Sequence, residues 1–246
     1  MKEIAAAAEL LKSARSVVAF TGAGISKESG IPTFRDAQTG LWEKFNPEDL
    51  ATPRAFRRNP SLVWQWYDFR RQAVEKAQPN PGHFALADLE KALPHFALIT
   101  QNVDGLHLRA GSKNVIELHG NIARSKCFDR NHPAENVPFD LKEPPVCHCG
   151  SLVRPDVVWF EEALPESQLS EAFREAETCE VMLVIGTSAL VQPAASLPFI
   201  AKRSGGKVVE INPDSTPLTE QVDLYISGPS GEILPRIFEE LNKIKA

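Results

Sequence analysis

Residues 16–26 read SVVAFTGAGIS, a β-branched-rich apolar run that stops in a glycine-containing turn. Gly22 and Gly24 lack a Cβ, so this turn can bring backbone N–H groups close to a pyrophosphate. Runs of the same kind recur at 96–99 (FALI), 115–118 (VIEL), 181–185 (VMLVI), 207–211 (KVVEI) and 222–226 (VDLYI). Helical patterns over 2–14, 83–92, 166–177, 193–203 and 231–245 separate them. Short apolar runs alternating with helices predict buried parallel strands in a doubly wound α/β sheet. The turn alone fixes no ligand. The third glycine of the usual dinucleotide fingerprint falls on Lys27, which disfavours a conventional hydride-transfer dehydrogenase, and a lone Gly-x-Gly also serves as a tight turn that binds nothing.

In open α/β sheets ligands bind beyond the carboxyl ends of the strands, and here those positions are polar. They read TGAGIS (21–26), TQNVDGLH (100–107), His119-Gly120, GTS (186–188) and Asn212-Pro213-Asp214. Gln101, Asn102 and Asp104 suit recognition of ribose hydroxyls and a carboxamide, although Asp104-Gly105 is also an ordinary turn. His119, at a strand end before Gly120, is a candidate general base, set against the commoner structural histidine. Phe34 and Arg35 follow the first turn, where an aromatic face and a cation could meet a nicotinamide and its ribose or phosphates, although a phenylalanine taken alone is more often a core residue.

Two stretches break the alternation. Residues 36–82 carry Trp42, Trp64, Trp66 and Tyr67 with prolines at 47, 53, 60, 79 and 81, which reads as a small helical insertion. Residues 127–150 are rich in proline, polar residues and cysteine and show no period, which reads as a module held by something other than an apolar core. The large domain is then expected over 1–35, 83–126 and 151–246. A net charge of −5 provides no basic field for nucleic acid or an anionic membrane, and no apolar run is long enough to span a bilayer. Four cysteines, three of them within 127–149, suit a metal cluster in a reducing, cytoplasmic setting better than a disulfide framework. A monomer is expected.

GAGIS (22–26), GIPTFR (30–35), TQNVDGLH (100–107), His119-Gly120, the cysteine module, RPDVVWF (154–160), GTSALVQPA (186–194) and EIN (210–212) stand in an order and spacing that resemble the sirtuin family over nearly the whole chain. The resemblance implies an NAD-dependent protein deacylase with a large Rossmann-like domain and a small domain, NAD and acyl-lysine entering the cleft between them. It implies that the acyl oxygen attacks the nicotinamide ribose, that nicotinamide leaves, and that His119 then acts as base on a ribose hydroxyl, with Asn102 also in the catalytic set. Gly22, Ala23, Gly24, Ser26, Phe34, Arg35, Gln101, Asp104, Gly186, Ser188, Asn212 and Ser230 match cofactor positions.

Within WQWYDFRR (64–71), Tyr67 and Arg70 share a face if the segment is helical, and the plainer reading is an amphipathic helix with Trp64 and Trp66 partly buried and the arginines in water. They resemble the Tyr-x-x-Arg of sirtuins that remove succinyl and malonyl groups, and the small Ala51 matches the room such chains need. The family's metal module has two cysteine pairs giving a closed zinc site. Here Cys127, Cys147 and Cys149 are present, but the position three after Cys127 is Arg130. The fourth ligand is open between Asp129, His132 and His148, and a module without metal is the other possibility. Glu161 stands where the family has glycine, in a stretch that pairs with the substrate backbone. The competing readings are protein mono-ADP-ribosyl transfer and a non-catalytic NAD-sensing module.

Overall fold

A computed structural model describes residues 2–32, 46–138 and 140–245. Phe34, Arg35 and Trp42 lie outside them. Six strands form one sheet: β1 (Val17–Thr21), β2 (Phe96–Thr100), β3 (Val115–Glu117), β7 (Val181–Ile185), β8 (Lys207–Asn212) and β9 (Leu224–Ser227). Their order is β3-β2-β1-β7-β8-β9, and every neighbouring pair is parallel. All residues of β1, β2 and β7 are buried, as strands covered on both faces must be.

Strand parity decides which helices cover each face. Val17, Ala19, Leu98 and Leu183 pack with Leu11 of α1 (Lys2–Ser13), Leu86 and Leu89 of α6 (Pro81–Ala92), and Leu234 and Leu241 of α10 (Ser230–Lys245). Val18, Phe20, Ile99 and Val184 pack with Ala172 and Ala176 of α8 (Glu166–Thr178) and with Leu197 and Ala201 of α9 (Leu197–Arg203). The helix expected over 193–203 begins as a 3₁₀ turn at Ala194–Ser196.

The stretch rich in tryptophan and proline is helical: α3 (Pro47–Leu50), α4 (Pro53–Arg58) and α5 (Pro60–Lys76) precede α6. Pro47, Pro53, Pro60 and Pro81 start helices rather than break them, because an N1 residue needs no N–H partner. Thr52 and Asn59 cap α4 and α5 by accepting the N–H of Ala55 and Leu62 at 3.0 and 3.1 Å.

A second sheet, antiparallel and of order β5-β4-β6, comprises β4 (Gly120–Cys127), β5 (Pro133–Ala134) and β6 (Val153–Val157). It draws on residues on both sides of the 127–150 module. The insertion docks on it through Arg71, whose buried guanidinium donates to the carbonyls of Ile122 and Arg124 at 2.7 and 3.2 Å and to Ser125 Oγ at 3.1 Å. Trp64 Nε1 donates to the Leu141 carbonyl at 3.0 Å, tying the same helix to the module. Among the described residues no helix is long and apolar enough to cross a membrane.

Candidate active site and metal cluster

Strand order reverses between β1 and β7, which opens a crevice at their carboxyl ends. Two glycine turns meet there. Gly22 N–H donates to the Ile185 carbonyl at 3.0 Å, and Gly24 N–H donates to the Gly186 carbonyl at 2.8 Å. A Cβ on Gly24 would lie 2.6 Å from Gly186 O; one on Gly186, whose φ is +56°, would lie 2.5 Å from Ile25 N. The loops therefore pack backbone against backbone, and the cradle exists only because neither turn has side chains there. Ala23 sits half-buried between Gly22 and Gly24.

The turn after β2 closes over it. Asn102 Nδ2 donates to Gly22 O and to Ser26 Oγ, both at 3.1 Å, and its backbone N–H donates to Thr100 Oγ1 at 3.0 Å. Ser26 Oγ donates to Asp104 Oδ2 at 2.7 Å, while Asp104 Oδ1 accepts the N–H of Leu106 at 2.9 Å. Burial raises the Asp104 carboxyl pKa, partly offset by those two bonds. Gln101 Nε2 donates to Thr187 Oγ1 at 2.9 Å, and Asn212 Nδ2 donates to the carbonyl of the same threonine at 2.9 Å. Thr187 thus joins the β2 and β8 turns. It escaped the sequence reading because it lies between two residues that match the family, Gly186 and Ser188. Ser188 is half-buried in the same turn.

Asn80 is another member found only in three dimensions. It caps α6, and its Nδ2 donates to Ile25 O at 2.7 Å and Ser29 Oγ at 3.0 Å, bracing the glycine turn from below. The Asn-Pro pair that marks a helix start was its one sequence signal. Ser230 stands apart from the crevice cluster: it is buried at the start of α10 and donates to Glu28 Oε1 at 3.0 Å.

His119 follows β3 and is half-buried. Its Nδ1 lies 2.9 Å from the Gln101 carbonyl. A carbonyl only accepts, so Nδ1 carries the hydrogen and Nε2 keeps its lone pair. Burial lowers the imidazole pKa and the Gln101 bond opposes this in part, leaving the ring neutral at pH 7. The His119 carbonyl accepts the N–H of Val158 at 2.9 Å, which stitches the residue to the segment after β6. Gly120, at φ +78°, has no space for a Cβ because the Asp156 carbonyl occupies it.

Tyr67 and Arg70 both lie on α5. Tyr67 is buried with Ala51, Phe56 and Trp159, and its hydroxyl accepts from Trp159 Nε1 at 2.9 Å. Arg70 is half-buried over the Trp66 ring at 5.0 Å, and burial lowers its pKa. Ala51 contributes its carbonyl to the N–H of Phe160 at 2.9 Å. Glu161 adopts φ +74°, a region glycine prefers, and pairs with Arg54 at 3.2 Å across exposed surface.

The ligand atoms of Cys127, His132, Cys147 and Cys149 all lie within 4.8 Å of one another. Cys127 Sγ and Cys149 Sγ are 3.4 Å apart, and Cys147 Sγ is 3.7 Å from His132 Nε2. Tetrahedral zinc with Zn–S bonds near 2.3 Å needs ligand separations of about 3.8 Å, so the donor set fits zinc. His132 joins it because antiparallel β4 and β5 fold back on each other: Cys127 N–H donates to the His132 carbonyl at 2.9 Å. His148 stacks on His132 at 4.7 Å outside the four. Purified protein is expected to hold about one equivalent of zinc, and His132→Ala to lose most of it to a mild chelator. Metal analysis checks both, and under about a tenth of an equivalent in the parent protein would count against a structural zinc.

A family model described as the Sir2 family matches residues 22–193. An NAD-dependent protein deacylase of Aquifex aeolicus (strain VF5) is 52% identical over 230 residues, covering 93% of this chain and 96% of that one. A solved complex of a Sir2 homolog with NAD superposes with a TM-score of 0.91 at 47% identity, covering 97% of this chain and 94% of that one. A Sir2 protein bound to a myristoylated histone peptide gives 0.79 at 38% identity, covering 99% and 98%. Family match, fold and the arrangement of the glycine turns agree, and the chain belongs to the Sir2 family of NAD-dependent protein deacylases.

Proposed function

We propose that the chain removes acidic acyl groups, succinyl and malonyl, from protein lysine, with acetyl as a second substrate. The observation that carries this reading is that Arg70 lies close to Tyr67 on α5, with Tyr67 packed against small, buried Ala51. A guanidinium half-withdrawn from water gains from a bidentate carboxylate more than an exposed one does. Tyr67 adds a neutral hydroxyl, its pKa pushed up to about 12 by burial. An acetyl group offers these two residues nothing to bind by charge.

NAD supplies, when bound, a ribose that accepts the acyl group as nicotinamide leaves. In this reading the Gly22, Ala23, Gly24 and Gly186 turns cradle the pyrophosphate. Ser26, Gln101, Asn102 and Asp104 hold the nicotinamide half, and Ser188, Asn212 and Ser230 the adenosine half. Phe34 and Arg35 keep their family roles as part of the proposal. His119 Nε2 takes the proton of a ribose hydroxyl, since Nδ1 is committed to Gln101. Three cysteines gathered with His132 into a metal cluster suit a reducing, cytoplasmic setting.

Mass spectrometry of acetyl-, succinyl- and malonyl-lysine peptides, with and without NAD, tests the reading. Losing a buried bidentate charge pair costs about 2 kcal/mol, so Arg70→Met should cut kcat/KM on succinyl-lysine about 30-fold and on acetyl-lysine less than about threefold. Equal losses would remove the acidic preference. ADP-ribose left on the peptide, in place of free lysine and O-acyl-ADP-ribose, would favour mono-ADP-ribosyl transfer.

A further inference from the structure

We propose that Trp159 is a positioning residue for acidic acyl groups, its indole N–H setting the direction in which the Tyr67 hydroxyl donates. This rests on the acidic-acyl reading above. Indole nitrogen donates and never accepts, so in the 2.9 Å contact between Trp159 Nε1 and Tyr67 Oη the phenol oxygen is the acceptor. The phenol hydrogen must then point away from Trp159, and among the described residues no acceptor takes it. Tyr67 is 2% exposed, and burial keeps it protonated through any working pH. It is therefore an oriented neutral donor. A carboxylate uses such a donor and an acetyl methyl does not.

Trp159 is fixed more firmly than packing alone requires. Its backbone N–H donates to Glu162 Oε2 at 2.8 Å. The guanidinium of Arg154, 1% exposed, lies 3.2 Å from the centre of the indole ring. Arg154 in turn donates to both oxygens of Glu162, at 2.5 and 3.0 Å, and to the Val157 carbonyl at 2.6 Å. Turning the indole would uncover a buried cation from its aromatic face. The same cation polarises the ring and strengthens its N–H as a donor. Arg154, Glu162 and Trp159 thus form a rigid bracket behind Tyr67, on the segment whose Val158 N–H bonds to His119.

The test is Trp159→Phe, which keeps an aromatic ring and removes the N–H, assayed on succinyl- and acetyl-lysine peptides in the parent enzyme and in Tyr67→Phe. In the parent, kcat/KM for succinyl-lysine should fall about fivefold through KM, the size of one hydrogen bond, with acetyl-lysine within about twofold. In Tyr67→Phe the same change should bring no further selective loss, because the hydroxyl it orients is gone. Equal losses on both substrates, or a selective loss that persists without the Tyr67 hydroxyl, would overturn the proposal. A parent enzyme with no succinyl or malonyl turnover would instead fail the acidic-acyl reading itself and take this role with it. If Trp159→Phe melts too low to assay, benzothienylalanine at 159 replaces N–H by sulfur in a ring of the same shape and gives the same two outcomes.

Discussion

Replacing His119 by alanine is expected to lower kcat for deacylation roughly a thousandfold, the scale on which a positioned general base acts. KM for NAD should change little, because the cradle is built by Gly22, Gly24, Gly186 and the Asn102 bonds rather than by the imidazole. A pH profile adds a second check. The base needs its Nε2 lone pair, and burial lowers its pKa below the ordinary imidazole value. Activity is therefore present above that lowered pKa and lost as pH falls through it, so the acidic limb of kcat should lie below pH 6.5. Single-turnover kinetics separate the chemical step from release. A loss under about tenfold, or an acidic limb above the ordinary value, would show that another group serves as base.

Gly186→Ala is expected to be the most damaging single methyl in the Rossmann-like sheet. The φ of +56° is strained for any residue with a Cβ, at about 1–2 kcal/mol. The methyl would also stand 2.5 Å from Ile25 N, main chain that cannot rotate aside. Together these should remove about 3–5 kcal/mol of stability and raise KM for NAD more than about tenfold, because pushing the two turns apart opens the cradle. Gly205→Ala is the control: φ is +95° with nothing within 4 Å of the added carbon, so only the backbone term remains. Urea denaturation of the two variants gives the comparison. Equal destabilisation would mean that the contact between the turns contributes nothing.

The parallel strands were legible as short apolar runs, and the central three, β1, β2 and β7, are buried along their whole length as cover by two helical layers requires. The expected run at 222–226 sits two residues late, at Leu224–Ser227, because Asp223 instead accepts the N–H of Val208 and the ammonium of Lys207. β4 and β6 were not legible. GNIARSKC and VRPDV carry Arg124, Lys126, Arg154 and Asp156, residues whose strand character comes from cross-strand pairing: Arg124 and Lys126 both reach Asp156, at 3.1 and 3.4 Å. For the same reason the fourth metal donor stayed open between three side chains. Only the β4–β5 pairing returns His132 to Cys127. At the crevice the motifs named Asn102, Asp104 and His119, while the bracing by Thr187 and Asn80 depends on contacts across 86 and 55 residues of chain.

Arg71 joins the helical insertion to β4 chiefly through the main chain, since two of its three acceptors there are the carbonyls of Ile122 and Arg124. A peptide oxygen is present whatever residue supplies it. These two bonds therefore place no demand on side-chain identity, which on that strand is set instead by Ser125 Oγ and by the packing of Ile122 against Tyr67. Exposed Ala123 can change while the insertion stays docked, whereas Ile122 is held by its burial with Tyr67 and Trp159, so the small domain can vary its outer face without losing the register of Tyr67 against Trp159.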